Sequence, residues 1–113
     1  MTHFKKWDIV LVPFPFTDLS GSKWRPALII SPEKFNIFGD VVITFLTSNL
    51  QVNKKIGDYL IIEWENASLP KPSLIRMKFA TLDSKFISKR IGALLEPDKS
   101  NFNKELFNFF EFS

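Results

Sequence analysis

The chain has 113 residues, 45% of them apolar and including thirteen Phe and three Trp, a length that suits one domain with a real hydrophobic core and leaves too little for a second. Cysteine is absent, which excludes disulfide staples, thiolate metal sites and thiol nucleophiles. Fifteen Lys plus Arg against twelve Asp plus Glu give a formal charge of +3 and a pI near 9.3, a mild bias toward polyanions that decides nothing until particular residues are considered.

The opening run MTHFKKWDIVLVPF is interrupted by Asp8 and contains no uncharged span of about 20 residues, so neither a secretory leader nor a membrane span is expected and the cytoplasm is the expected location. WDIVLVPF (7–14), PALIIS (26–31) and DVVITFLT (40–47) are short runs rich in β-branched and aromatic residues, bounded by Gly, Pro, Asn and Asp. They predict strands. DYLIIEW (58–64), SLIRMKF (73–79) and KRIGALL (89–95) continue the series. Regular spacing of this kind predicts a mostly β or α+β domain, a small barrel or sandwich, without saying which strands pair.

The joining segments are polar. PFTDLSGSKWR (15–25) holds turn-forming Pro15, Asp18, Gly21 and Ser22 and predicts an exposed loop. SNLQVNKKIGD (48–58) predicts a second loop, with a mobile tip and with Lys54 and Lys55 on it. Ser31-Pro32-Glu33 suits the start of a short helical turn reaching Phe35, Ser as cap and Pro in the first helical position. Near the end, Ser100 can cap a helix on which Phe102, Leu106, Phe109 and Phe110 fall at helical spacing. No repeat, low-complexity tract or linker divides the chain, and one domain over residues 1–113 is expected.

Several chemistries are poorly supported. The chain has a single histidine, His3, beside the terminus, so neither a histidine metal centre nor a Ser-His-Asp triad is expected. Glu63 and Glu65, two apart on an expected strand, share a face that can seed a magnesium site or simply meet solvent, and the second reading is preferred. SGSK (20–23) has one glycine and lacks phosphate-loop spacing. What remains is a set of cations and hydroxyls at strand ends. Arg25 precedes Pro26 and an apolar strand, so its guanidinium fork is presented at the strand's mouth. Thr47 and Ser48 end the third apolar run. If those two ends face each other, they form a phosphate site; each residue alone is equally at home in a surface pair or a turn cap.

The segments DIVLVPFPF, TDLSGSKWRPALIIS, VVITFLTS and SLIRMKFATLD followed by RIGAL resemble the MazF/PemK family of type II toxin–antitoxin systems over nearly the whole chain. Its most specific element is Arg25-Pro26 opening an apolar strand, with an apolar run ending in Thr47-Ser48 further on. The resemblance implies an SH3-like β-barrel with short helices and a C-terminal helix. It also implies a cytoplasmic homodimer held in check by a cognate antitoxin, and cleavage of single-stranded RNA, such as mRNA, without metal or other cofactor, leaving 2′,3′-cyclic phosphate and 5′-hydroxyl ends. Carried over, Arg25 and Thr47 are the catalytic pair. RNA contacts are expected from Ser20, Ser22, Lys23, Trp24, Ser48, Lys54, Lys55 and Arg76.

Trp24 either stacks on a base or packs on the barrel, stacking being preferred, and Arg76 is either an RNA contact or a strand-face cation. The chain departs from the family in its first loop, where DLSGSKW stands in place of the often longer, Gly-Glu-Gln-like stretch common there, and at Lys78, where some members place an Asp proposed as a base. The rival readings are a noncatalytic gyrase-inhibiting toxin of the CcdB type and an SH3-like interaction module.

Overall fold

The computed structural model describes residues 3–14 and 23–111. In chain order its elements are β1 (Asp8–Phe14), β2 (Lys23–Ile29), α1 (Glu33–Asn36), β3 (Asp40–Thr47), β4 (Tyr59–Leu60), β5 (Leu74–Asp83), β6 (Lys89–Ala93) and α2 (Asp98–Phe110), with a single 3-10 turn at Ser84–Phe86. The strands form one antiparallel sheet in the order β4-β5-β3-β2-β1-β6. This is the mostly β architecture with a C-terminal helix that the sequence predicts, the barrel being realised as a curled six-stranded sheet.

Period-two alternation explains why both faces of the central strands are buried. Ile9 of β1, Leu28 of β2 and Leu46 of β3 enter one cluster, whereas Val10, Val12, Ala27, Ile29, Val41, Ile43 and Phe45 enter another on the opposite face. The first cluster is closed by α2, whose fully buried Phe102 sits against Trp7 and Tyr59 at ring-centroid distances of 6.4 and 6.1 Å. Leu82, Phe86 and Ile87 close the second.

Buried polar groups fasten the connections. Asn36 Nδ2 donates to the carbonyls of Phe4 (2.8 Å) and Ser31 (3.1 Å), and the Ser31 hydroxyl donates to Asn36 Oδ1 while accepting from the Val42 amide. Ser31 therefore serves this network rather than capping α1, where Pro32 stands at the cap position. Asp8, almost fully buried, receives the Lys5 amide and Arg90 Nε, both at 2.9 Å, which ties β1 to β6.

Three sequence expectations are corrected. The run 58–64 is a strand only at Tyr59–Leu60. Beyond it the chain turns, because the buried carboxylate of Asp98 accepts the amides of Ile62 (2.9 Å) and Glu63 (2.8 Å) and so takes them away from any ladder. Glu63 and Glu65 accordingly do not share a strand face; Glu63 instead accepts from Asn66 Nδ2 at 2.7 Å. Ser100 lies inside α2, which begins at Asp98, and its hydroxyl and amide reach back to the Glu96 carboxylate. Those two hydrogen bonds hold the Glu96 carboxyl below its ordinary pKa. Among the described residues no helix is long and apolar enough to cross a membrane.

Candidate active site

The β2–β3 register brings Arg25 and Thr47 together. Ala27 faces Phe45 across the antiparallel pair, so two residues outward on each strand lie Arg25 and Thr47, at the same end of the sheet. Pro26 has no N–H to give to a ladder, and the pairing of β2 with β3 stops at Ala27, next to it. Where the pairing stops there is a cleft of about 320 Å³ lined by Lys23, Trp24, Arg25, Pro26, Leu46, Thr47, Ser48 and Asn49.

Each side chain in the cleft is set by its strand or turn. On its other side β2 is paired with β1, Val12 facing Arg25 and Pro13 facing Trp24. The backbone under Arg25 is therefore part of the sheet and not of the preceding loop, and the strand starts three residues earlier than the run PALIIS suggests. Trp24 is 56% exposed, which leaves a ring face open at the rim. On the β3 side, Thr47 Oγ1 accepts the Asn49 amide at 3.1 Å, and Asn49 Oδ1 accepts the Gln51 amide at 3.1 Å. Two successive side-chain-closed turns thus shape the chain leaving β3. Because Thr47 Oγ1 is the acceptor in that bond, its own O–H can still be donated into the cleft.

The described residues lining this cleft include two cations and two hydroxyls but no carboxylate or imidazole. Such a set can hold an anion and stabilise added negative charge, but it offers no carboxylate or imidazole for proton abstraction. A tetrahedral phosphate, gripped by a planar guanidinium and a hydroxyl, matches it.

A second cleft, of about 480 Å³, is lined by Lys55, Ile56, Asp58, Arg76, Met77, Lys78 and Phe109. It is larger than the first and contains neither Arg25 nor Thr47. Arg76 Nη2 lies 3.4 Å from Asp58 Oδ2 and donates to the Asn53 carbonyl at 3.1 Å. Leu46, which lines the first cleft, is paired with Ile75, the chain neighbour of Arg76. The register of β3 against β5 shifts between Thr44 and Leu46, and the fully buried Thr44 hydroxyl fills that irregularity by donating to the Arg76 carbonyl.

Of the residues singled out from sequence, Lys23, Trp24, Arg25, Thr47 and Ser48 share the first cleft, and Lys55 and Arg76 share the second. Lys54 is exposed on the connecting segment and lines neither. Ser20 and Ser22 lie outside the described residues. The sequence reading overlooked Asn49, Asp58 and Thr44. Asn49 carries a usable signal, since Asn directly after a strand-ending Thr-Ser favours a side-chain-closed turn; Asp58 and Thr44 carry none. The described residues hold no group of three or more His, Asp or Glu able to ligate a metal.

A curled antiparallel sheet with a terminal helix defines a protein of the small-barrel type, with a cationic, hydroxyl-lined cleft at one sheet end. The model of the PemK-like, MazF-like toxins of type II toxin–antitoxin systems matches residues 5–110, and the chain belongs to that family. No curated protein sequence matches it. In fold it is similar to an endoribonuclease in complex with its cognate antitoxin from a mycobacterial species (TM-score 0.77, 15% identity, 97% of each chain covered). It is similar also to the Mycobacterium tuberculosis toxin MazF-mt6 (TM-score 0.73, 19% identity, 92% of this chain and 96% of that one) and to MazF in a MazE–MazF structure from Deinococcus radiodurans (TM-score 0.72, 14% identity, 97% of each).

Proposed function

We propose that the chain is a single toxin domain over residues 1–113 that acts in the cytoplasm as a metal-independent, sequence-specific endoribonuclease on single-stranded RNA such as mRNA. The observation that carries this reading is that Arg25 and Thr47, on different strands and far apart in the chain, line one cleft. RNA brings its own nucleophile, which is what a cleft lined without carboxylate or imidazole requires.

In the reaction the ribose 2′-oxygen attacks the adjacent phosphorus and the P–O5′ bond breaks in line. The 2′-hydroxyl loses a proton, the departing 5′-oxygen gains one, and the products are a 2′,3′-cyclic phosphate and a 5′-hydroxyl. Arg25 grips two phosphate oxygens and stabilises the charge that accumulates in the pentacoordinate transition state, while Thr47 donates a hydrogen bond to the same phosphate. With a side-chain pKa above ~12, Arg25 acts by charge first and as a proton carrier only second. Lys23 and Ser48 hold the neighbouring backbone, Trp24 stacks on a base, and Lys54, Lys55 and Arg76 carry the strand beyond the scissile phosphate. RNA contacts from Ser20 and Ser22 belong to the same reading, on the family resemblance alone.

The active form is a homodimer, and a cognate antitoxin with an acidic and apolar tail occupies the RNA groove; two of the similar structures are toxins solved with their antitoxins. The test is incubation with a long RNA in EDTA, followed by mapping of both ends. Cyclic-phosphate and 5′-hydroxyl termini, lost in R25A, are expected. A protein that leaves RNA intact and blocks DNA supercoiling would reverse the reading in favour of a gyrase inhibitor.

A further inference from the structure

The segment joining β3 to β4 physically connects the two clefts. It leaves the first at Ser48 and Asn49 and enters the second at Lys55, Ile56 and Asp58, carrying Lys54 and Lys55 on the way. Its near end is shaped by the turns of Thr47 and Asn49. Its far end runs into β4, which pairs with β5, and just before that a carboxylate ties it to β5 as well. Asp58, with its side chain only 2% exposed, accepts the Lys55 amide at 2.9 Å and lies 3.4 Å from Arg76 Nη2. That same Nη2 donates to the Asn53 carbonyl at 3.1 Å.

Arg76 thus holds residue 53 directly and residues 55 and 58 through the Asp58 carboxylate, the Asp58 amide closing the same turn by donating to the Lys55 carbonyl at 3.0 Å. Gly57 reinforces the arrangement. Its φ of +90° suits glycine, and a Cβ there would stand 2.5 Å from Met77 Cγ and 3.3 Å from Phe109 Cδ1. The backbone can lie flat on those two side chains only because nothing projects from it.

We propose that Asp58 is a positioning residue for RNA: by holding Arg76 and the Lys55 amide it fixes residues 53–58 so that Lys54 and Lys55 meet the strand leaving the first cleft. This rests on the RNA-cleaving reading. Simple charge makes the opposite prediction. Asp58 is the one acid among the described residues lining either cleft, so neutralising it should tighten binding of a polyanion if it did nothing but repel. Positioning predicts weaker binding.

The experiment compares wild type, D58N, R76Q and the double variant on one fluorescent RNA oligonucleotide, with folding checked by circular dichroism. D58N keeps the shape and one acceptor for the Lys55 amide while losing the charge that holds Arg76. It should raise KM about 10-fold and leave kcat within about 2-fold. It should also make the salt dependence of binding shallower, because fewer phosphates are neutralised. The double variant should be no worse than the more impaired single, since both break the same tie.

Trypsin gives a readout independent of RNA: cleavage after Lys54 or Lys55 should be about 10-fold faster in D58N than in wild type, the segment opening locally. Tighter RNA binding by D58N, a fall in kcat at unchanged KM, or an unchanged trypsin rate would each overturn the proposal. Should wild type cut no RNA, the functional reading fails and the role of the lysines with it, while the trypsin rate still decides whether Asp58 holds the segment.

Discussion

Arg25 and Lys carry the same charge but not the same geometry, which makes R25K the informative substitution at the first cleft. A guanidinium presents a planar fork able to hold two phosphate oxygens, whereas an ammonium presents a point charge. R25K should keep RNA affinity near wild type while lowering the single-turnover cleavage rate about 100-fold, in line with the loss of one transition-state donor. Gel-based rates and filter binding on the same RNA check both halves. The chain's single tyrosine offers a second test at this scale. Burial together with the hydrogen bond to Asp98 pushes the Tyr59 hydroxyl up from 10.0 to about 12. Its folded pKa is thus above its unfolded one, so the stability linked to it is complete below pH 10 and is lost as pH rises through about 12. Ultraviolet titration of phenolate should show a midpoint near 12 in the folded protein, and a midpoint at the free-tyrosine value would remove the Asp98 bond from the account.

Asp98 matters most for how α2 meets the sheet. Besides Tyr59 it satisfies the amides of Ile62 and Glu63, so D98A leaves three donors without their acceptor. Orphaned buried donors cost about 1–3 kcal/mol each. D98A should therefore lose about 3 kcal/mol or more in urea unfolding, and F102A, which empties the centre of the first cluster, about 3–5 kcal/mol. A D98A protein as stable as wild type would show that residues 61–69 do not depend on it. The same contact explains what the sequence hid. Strands β1, β2 and β3 were legible because each is a short run dense in apolar, largely β-branched residues, which suits a strand whose two faces are both buried. DYLIIEW has an equally strong apolar pattern, yet only Tyr59–Leu60 form a strand, since an acceptor 36 residues away takes the Ile62 amide. Local pattern carries no record of such a partner. Helix α2 was legible from Phe102, Leu106, Phe109 and Phe110, whereas its first residue was not, because Pro97 and Asp98 occupy the positions assigned to a Ser100 cap.

For the whole molecule, Arg25 and Thr47 were recognisable as strand-end residues, but their meeting depends on β2 pairing with β3, which periodicity leaves open. Family resemblance supplied that step. Asp58 stayed hidden for another reason: one Asp at the end of a polar loop has no signature until β5 brings Arg76 to it. The two clefts together present Lys23, Arg25, Lys55, Arg76 and Lys78, so RNA binding should weaken with salt by roughly 0.7 in log K per log salt for each phosphate neutralised. K23Q and K55Q should each reduce that slope by about one such step, and an unchanged slope in both would move the RNA path off this end of the sheet.

A double-mutant cycle on the cleavage step probes the shared phosphate most directly. Single-turnover rates on one RNA are compared for wild type, R25A, T47V and R25A/T47V, valine matching threonine in shape without its hydroxyl. Two groups acting on the same phosphodiester should each lower the rate about 100-fold when removed, and the double variant should lose clearly less than the product of the two. Wild-type rates in either single variant, or losses that simply multiply, would mean that the guanidinium and the hydroxyl do not work on one phosphate.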